Sequence, residues 1–364
     1  MEVGIIGLPK SGKTTIFNAV TAGSAIVDGF AKSSNIGVAK VPDKRLLTLS
    51  NLFNPKRTTP AEITFIDLPP PPDGIGDTRG ISGEFLNNLQ AVDVLLLVCR
   101  SFSDPSVIHV DDLVDFKRDA ESMMYELIFS DIDLVSRRID KLLEKYKGAS
   151  KIERATLDKE KDFFSRLKDQ LGSNIAIRDQ TITTEEWKIL VGYQLLTAKP
   201  VIAVVNIDEN QIQEQQAMLD QLGLFKDKSD MGMTTMCGKL EMELAQMDKA
   251  SEKEFREDLG MQQSGMDQAI DLSYQVGGKI SFFTVGEDEV KAWEIPSGIS
   301  VQRAAGKIHT DLERGFIRAE VIHYEELISC SGVLADARKK GLIRSEGKDY
   351  IVKDGDVVNV LFNV

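Results

Sequence analysis

Eight residues near the start of the chain, Gly7-Leu8-Pro9-Lys10-Ser11-Gly12-Lys13-Thr14, satisfy GxxxxGK[ST] at every fixed position. Each residue type has a chemical reason to be there. Glycines let the backbone curl until successive N–H groups point at one anion. A helix that begins at that point adds the positive end of its dipole. Lys13 supplies a point charge for the β and γ oxygens of a nucleoside triphosphate, and the Thr14 hydroxyl is a ligand for Mg²⁺. The expected nucleotide contacts are therefore Lys10, Ser11, Gly12, Lys13, Thr14 and Thr15. Asp67, at the end of the apolar run Ile63–Ile66, is the expected second metal residue, acting directly or through a water. A third group, Asn206-Ile207-Asp208-Glu209, follows the run Pro200–Val205, where a GTPase of this architecture carries NKxD to read guanine. Here the fourth position is a glutamate, one methylene longer, and no lysine stem packs along the base. Guanine reading is weakened accordingly.

These groups need a scaffold that brings strand ends together. Val3–Ile6, Ile63–Ile66, Val92–Val98 and Pro200–Val205 are short apolar runs of the kind that form strands covered on both faces. Thr14–Val20 reads as the helix after the phosphate loop. The expected fold class is α/β, a P-loop NTPase with a mostly parallel, Rossmann-like sheet. The hundred-residue gap before Pro200 holds an insert. From Asp112 to Tyr146 apolar residues recur at steps of three to five, the mark of one helix face. Gly148-Ala149-Ser150 breaks that helix, and Ile152–Leu171 resumes the pattern, giving an antiparallel hairpin. The methionine-rich stretch Met231–Met247 reads as adaptable packing. After Gly277-Gly278 come strand-like runs at Ile280–Val285, Val290–Ile295 and Phe316–His323, with a helix over Val301–Glu313. Tyr350–Val352 and Val357–Phe362 flank Asp354-Gly355, a hairpin signal. The expected division is 1–111 with 192–277 as nucleotide domain, 112–191 as helical insert and 278–364 as a small α+β binding domain.

The net charge of −13 disfavours wholesale coating of nucleic acid, since a phosphate partner is repelled on average. Two local basic clusters run against that average: Arg137, Arg138, Lys141, Lys145, Lys147 and Lys151; and Arg338, Lys339, Lys340, Arg344 and Lys348. For each, a solvated helix face balanced by neighbouring acids is as good a reading as a binding patch. No apolar run approaches the roughly 20 residues that span a bilayer, and the start lacks a signal-peptide pattern. Cys99, Cys237 and Cys330 show no metal spacing, so reduced thiols in a cytoplasmic monomer are expected.

With these residues in view the chain resembles the YchF/Obg-like ATPases, a branch of the translation-factor GTPase superfamily, over nearly its whole length. The resemblance is carried by the P-loop, Val41-Pro42-Asp43-Lys44-Arg45-Leu46, the helical insert and the NxxE motif Asn206–Glu209. More specific are Ala305-Gly306-Lys307-Ile308-His309-Thr310-Asp311, Gly315-Phe316-Ile317-Arg318-Ala319 and the segment from Glu346 to Asp356. These last mark the C-terminal region as similar to the family's TGS domain, a ubiquitin-like β-grasp module. The resemblance implies ATP preferred over GTP, hydrolysis to ADP and association with ribosomes; the TGS domain and helical insert are the expected docking elements, and slow turnover with Mg²⁺ is expected from the departures below. It also implies base contact by Ile207 beside Asn206 and Glu209. His109, in Ile108-His109-Val110, matches a loop histidine proposed to replace the missing catalytic glutamine.

Two departures stand against turnover. The family follows its metal-linked aspartate with Ile-Ala-Gly, whose glycine N–H meets the γ-phosphate, but here Asp67 is followed by Leu68 and four prolines. Pro70 has no N–H to give. The family's Mg²⁺-binding threonine aligns near Ala31, with Ser33 and Ser34 as the nearest hydroxyls. A second reading is therefore a nucleotide-stabilised ribosome- or RNA-binding scaffold with little or no hydrolysis.

Overall fold

The structure, a computed structural model, describes residues 1–23, 34–68, 81, 83–104, 113–261 and 263–363. The described strands are β1 (Glu2–Ile6), β2 (Asn35–Lys40), β3 (Arg57–Thr59), β4 (Glu62–Asp67), β5 (Val94–Arg100), β6 (Val201–Asn206), β7 (Met231–Met236), β8 (Lys279–Thr284), β9 (Glu289–Pro296), β10 (Phe316–His323), β11 (Arg344–Glu346) and β12 (Asp356–Phe362). The helices used below are α1 (Lys13–Thr21), α2 (Lys44–Phe53), α3 (Gly83–Ala91), α4 (Phe116–Gly148) and α5 (Lys151–Gly172). Two compact units result, one of Met1–Gly37 with Thr64–Val276, the other of Val38–Ile63 with Gly277–Val364.

The first unit is built on the sheet β2-β4-β1-β5-β6-β7, in which β1 pairs parallel with β4 and β5, β5 with β6, and β6 with β7. Every residue of β5 and β6 is buried, as expected for central parallel strands covered on both faces. One apolar core joins Leu95, Leu97, Val201, Ala203 and Val205 to Leu86 and Leu89 of α3 and to Met123, Met124 and Leu127 of α4. The methionine-rich stretch is thus more than packing: Met231–Met236 is β7, hidden from a reading of strands because polar threonines interrupt its apolar run.

The insert is the expected helical hairpin. Asp115 caps α4 by accepting from the N–H groups of Lys117 and Arg118, and Ser150 and Glu153 form a capping box at the start of α5. A separate core of Val135, Leu142, Phe163, Phe164, Leu167 and Leu171 holds the two helices together. Asp131, which interrupts the apolar face of α4, is an anchor. Its carboxylate, wholly buried, accepts from Leu196 N at 2.9 Å, Thr197 N at 2.7 Å and Thr197 Oγ1 at 2.6 Å. Burial pushes this carboxyl up to about 6, against the hydrogen bonds and the charge of Arg178, which hold it down.

The second unit carries the sheet β11-β10-β12-β8-β9-β3. Its first member in sequence was missed: β3 is three polar residues, and it pairs in parallel with β9, Arg57 facing Glu289 and Thr59 facing Lys291. That pairing draws residues 38–63, expected in the nucleotide domain, into the C-terminal unit. Arg45 of α2 strengthens the assignment by pairing with Asp354 at 2.7 Å and lying over the Phe283 ring. Two local expectations are also corrected. Asp354-Gly355 is no hairpin turn, because β12 lies between β8 and β10 and Tyr350–Val352 contributes only one bridge, Ser300 to Ile351. The Asp354 carboxylate instead accepts from Ser281 N at 2.9 Å. The helix over 301–313 breaks at His309, whose extended backbone and ring nitrogen cap a second helix, Thr310–Arg314.

Candidate nucleotide site

The phosphate loop leaves β1 at Ile6 and enters α1 at Lys13. Two glycines are forced by close approach. At Gly7 (φ +150°) a Cβ would stand 2.4 Å from the Val98 carbonyl oxygen, and at Gly12 (φ +91°) 2.2 Å from Asn206 Nδ2. No side chain caps α1, so its first-turn N–H groups are not claimed by one. The buried Ser11 hydroxyl has no hydrogen-bond partner among the described residues. A buried, unclaimed donor in a curled loop before a helix fits a phosphate group.

Lys13 closes the cradle. Its Nζ donates to the carbonyls of Gly7 at 3.1 Å and Leu8 at 3.2 Å, which fold the ammonium over the loop. Burial lowers its pKa to about 8, and the charge of Asp67 offsets part of that fall. Thr14 Oγ1 donates to Asp67 Oδ2 at 2.8 Å, and Asn35 Nδ2 reaches the same oxygen at 3.3 Å. A hydroxyl and a carboxylate in contact beside the loop are donors that suit Mg²⁺, which keeps waters and phosphate oxygens for its other positions. Among the described residues no group of three or more His, Cys, Asp or Glu could hold a metal by itself. Lys10 (φ +64°) is exposed and Thr15 half-buried.

Asn206 is more than a reader of the base. Its side chain donates to Ser11 O at 3.1 Å and accepts from Gly238 N at 3.2 Å, tying the phosphate loop to the helix Gly238–Leu244. Its carbonyl accepts from Ser101 and Phe102 N–H. Ile207, expected at the base, buries its side chain in the core and donates its N–H to Met236 O. Only the rest of its main chain is left for a base. Asp208 accepts from Ser103 N at 2.8 Å and caps the turn Glu209–Glu214, on which Glu209 is exposed. The structure thus brings Ser11, Gly12, Lys13, Thr14, Asp67 and Asn206 together. Ala31, Ser33, Pro70 and His109 lie outside the described residues.

Sequence reasoning missed three contributors. Asn35, at the start of β2, carries no motif that marks it as a neighbour of Asp67. Gly238 sits where a Cβ would meet Ile16 Cδ1 at 2.8 Å, and recognising β7 would have exposed it as the strand-to-helix residue. The Phe102 ring lies 3.6 Å from the position of a Cβ on Gly12 and is backed by the Arg100 guanidinium at 4.4 Å, a placement without a sequence signature.

Comparison with known proteins agrees with this fold. Residues 2–130 match the family model described as "50S ribosome-binding GTPase". Residues 279–363 match the YchF GTPase C-terminal model, described as "Protein of unknown function (DUF933)". A Bacillus subtilis protein, "Ribosome-binding ATPase YchF", is 37% identical over 375 aligned residues, covering 100% of both chains. The chain belongs to the YchF family. An Escherichia coli O157:H7 protein of the same name is 35% identical, covering 100% of this chain and 99% of its own. The solved structure of the Schizosaccharomyces pombe YchF GTPase superposes with a TM-score of 0.85 at 28% identity, covering 99% of this chain and 97% of that one. The YchF architecture of P-loop sheet, helical region and C-terminal sheet is therefore that of this chain.

Proposed function

We propose that this YchF-family chain is a Mg²⁺-dependent nucleoside triphosphatase that prefers ATP to GTP, hydrolyses it slowly to ADP, and couples its nucleotide state to ribosome binding as a cytoplasmic monomer. The observation that carries the reading is the Lys13–Thr14–Asp67 constellation on an uncapped helix start. Lys13 places its charge where the β and γ oxygens lie, and the loop amides with the Ser11 hydroxyl orient the phosphates. Thr14 and Asp67 are the residues that would hold Mg²⁺, which when bound offsets negative charge on the transferring phosphoryl group. His109 orients the attacking water. Base preference follows from the NxxE segment: Asp208 is committed to the Ser103 N–H, no lysine stem packs along the base, and the carboxylate at the fourth position is that of Glu209, one methylene longer than the aspartate that reads guanine.

Competition between ATP and GTP, followed by single-turnover hydrolysis in saturating Mg²⁺, tests this. ATP should bind more tightly, and phosphate release should vanish in Lys13→Ala and fall in His109→Ala. GTP binding at least tenfold tighter would overturn the base assignment. The second reading, a nucleotide-stabilised scaffold, is favoured by Pro70 and Ala31, which remove an N–H and a hydroxyl from the γ-phosphate side. Tight nucleotide binding with no phosphate above background would select it. Ribosome binding, for which the relatives are named, is tested by co-sedimentation at low and high salt.

A further inference from the structure

Of the residues Gly7–Thr14 that form the phosphate loop, Lys10 alone is exposed. Its ammonium makes no ion pair and no hydrogen bond among the described residues. Its backbone is held in a conformation that a lysine does not favour. The Ser11 N–H donates to the Leu8 carbonyl at 3.3 Å, closing a turn with Pro9 in the second place and Lys10, at φ +64°, in the third. Proline followed by a positive φ is the mark of a type II turn. Its third place suits glycine or asparagine, because other L side chains crowd the following carbonyl. Ala22, Asn54 and Gln194 take the same conformation where helices end. Lys10 takes it in the middle of the phosphate cradle.

The charge balance of phosphoryl transfer says what a cation at that place would do. As the γ-phosphoryl moves, negative charge spreads over its three equatorial oxygens, and a cation beyond the loop lysine is a recurring device for offsetting it. This sequence is short of such groups, since Pro70 has no N–H and Ala31 no hydroxyl to offer the γ-phosphate. Lys13 is folded over the loop by the Gly7 and Leu8 carbonyls. Lys10 stands earlier in the same loop, with a compact, fully available charge on a flexible four-carbon stem. A strained backbone retained in a binding loop, with an unpaired charge carried on it, is an arrangement that the fold alone does not call for. Asparagine would close the turn at lower cost and carry no charge.

We infer that the Lys10 side chain is a catalytic group for the hydrolysis proposed above, a cationic finger supplied by the chain itself, whose ammonium meets the γ-phosphoryl oxygens. The inference rests on the triphosphatase reading and assigns a further residue to it. In the step, the oxygen of the attacking water bonds to the γ-phosphorus, and the bond from that phosphorus to the β–γ bridging oxygen breaks with its electron pair left on ADP. The proton lost by the water goes to the released phosphate or to solvent. Lys10 keeps its own proton and supplies charge only. That charge acts more strongly on the transferring phosphoryl group than on bound ATP, so it raises kcat rather than affinity. A lysine is a point charge without the two-pronged fit of arginine to a phosphate. Its share is therefore about tenfold to a hundredfold, below the roughly 10³–10⁵ of an arginine finger.

The test compares the full chain with Lys10→Asn, Lys10→Gly and Lys10→Arg. Each is assayed for Mg²⁺-ATP hydrolysis in steady state and single turnover, for Mg²⁺-ADP affinity by calorimetry, and for stability by chemical denaturation. Expected for Lys10→Asn is a kcat lower by about tenfold or more, with KM and ADP affinity within about threefold of wild type. Its denaturation midpoint should equal or exceed that of wild type, because asparagine fits the turn. Lys10→Arg, which keeps the charge, should retain most of the turnover. In Lys10→Gly, added ammonium or methylammonium ions should raise kcat severalfold, whereas tetramethylammonium at the same ionic strength should not. A wild-type kcat in Lys10→Asn overturns the inference and leaves the triphosphatase reading standing. So does a rise in KM alone, which marks long-range attraction of the nucleotide. A fall in kcat together with the midpoint, without rescue by ammonium, also overturns it, because the residue is then structural. If the wild-type chain hydrolyses no ATP, both readings fall.

Discussion

The desolvation of the half-buried Lys13 makes nucleotide binding a proton-uptake reaction at alkaline pH. In the ligand-free protein burial brings the Lys13 pKa to about 8, so near pH 9 about nine chains in ten have lost the ammonium charge. A bound polyphosphate supplies negative charge beside Nζ and raises the pKa again. Binding at pH 9 therefore takes up about 0.9 proton, against about 0.1 at pH 7, and affinity falls about tenfold between those pH values. Isothermal titration calorimetry with ADP and excess Mg²⁺, in buffers of different ionisation enthalpy, reads the proton count directly. ADP is suitable because, with Mg²⁺ in excess, its phosphates are already ionised at pH 7 and add no protons of their own to the count. Asp67→Asn removes the charge that raises Lys13, so its affinity loss should begin at lower pH. The ligand-free fold has the opposite sign. Between about 8 and 10.5 the unfolded chain binds the proton that native Lys13 has released, so this group adds stability as pH rises through that window. Proton uptake no greater at pH 9 than at pH 7 would refute the reasoning.

Three substitutions probe the supporting shell. Asn206→Asp keeps an acceptor for Gly238 N but sets a carboxylate against the Ser11 carbonyl, and should cost about 2–4 kcal/mol in chemical denaturation with a parallel loss of nucleotide affinity. Gly12→Ala places a methyl 2.2 Å from Asn206 Nδ2 at a φ of +91°, and equilibrium dialysis should find nucleotide binding lost. Asp131→Ala strands the buried N–H groups of Leu196 and Thr197, so the denaturation midpoint should fall by the equivalent of about 2–4 kcal/mol with nucleotide affinity within twofold of wild type.

Local features of the fold were legible and non-local ones were not. The phosphate loop, the buried strands β5 and β6 and the α4–α5 hairpin declare themselves through spacing, continuous apolar runs and helical periodicity. β3 does not, because three polar residues become a strand only when β9, more than 200 residues later, offers its edge. The same distance hid the transfer of residues 38–63 to the C-terminal unit. Asp354-Gly355 has hairpin chemistry, but tertiary pairing of β12 with β8 and β10 overrides it. At the site, the residue types for phosphate and metal could be named from sequence because their chemistry fixes them. Asn206 was named for its position beside a base, while its hydrogen bonds to Ser11 and Gly238 depend on a crossing that no spacing reveals.

The central claim is that the Gly7–Thr14 loop and the Lys13 ammonium gather around a polyphosphate. Equilibrium titration of the purified chain with Mg²⁺-ATP, Mg²⁺-ADP and Mg²⁺-GTP, alongside Lys13→Ala, tests it most directly. The prediction is saturable binding of an adenine nucleotide that weakens about ten- to a hundredfold in the variant, since hydrogen bonds from a charged donor contribute roughly 1.5–3 kcal/mol. Wild-type protein that binds none of the three with Mg²⁺ in excess, or a Lys13→Ala chain that binds as well as wild type, would contradict it.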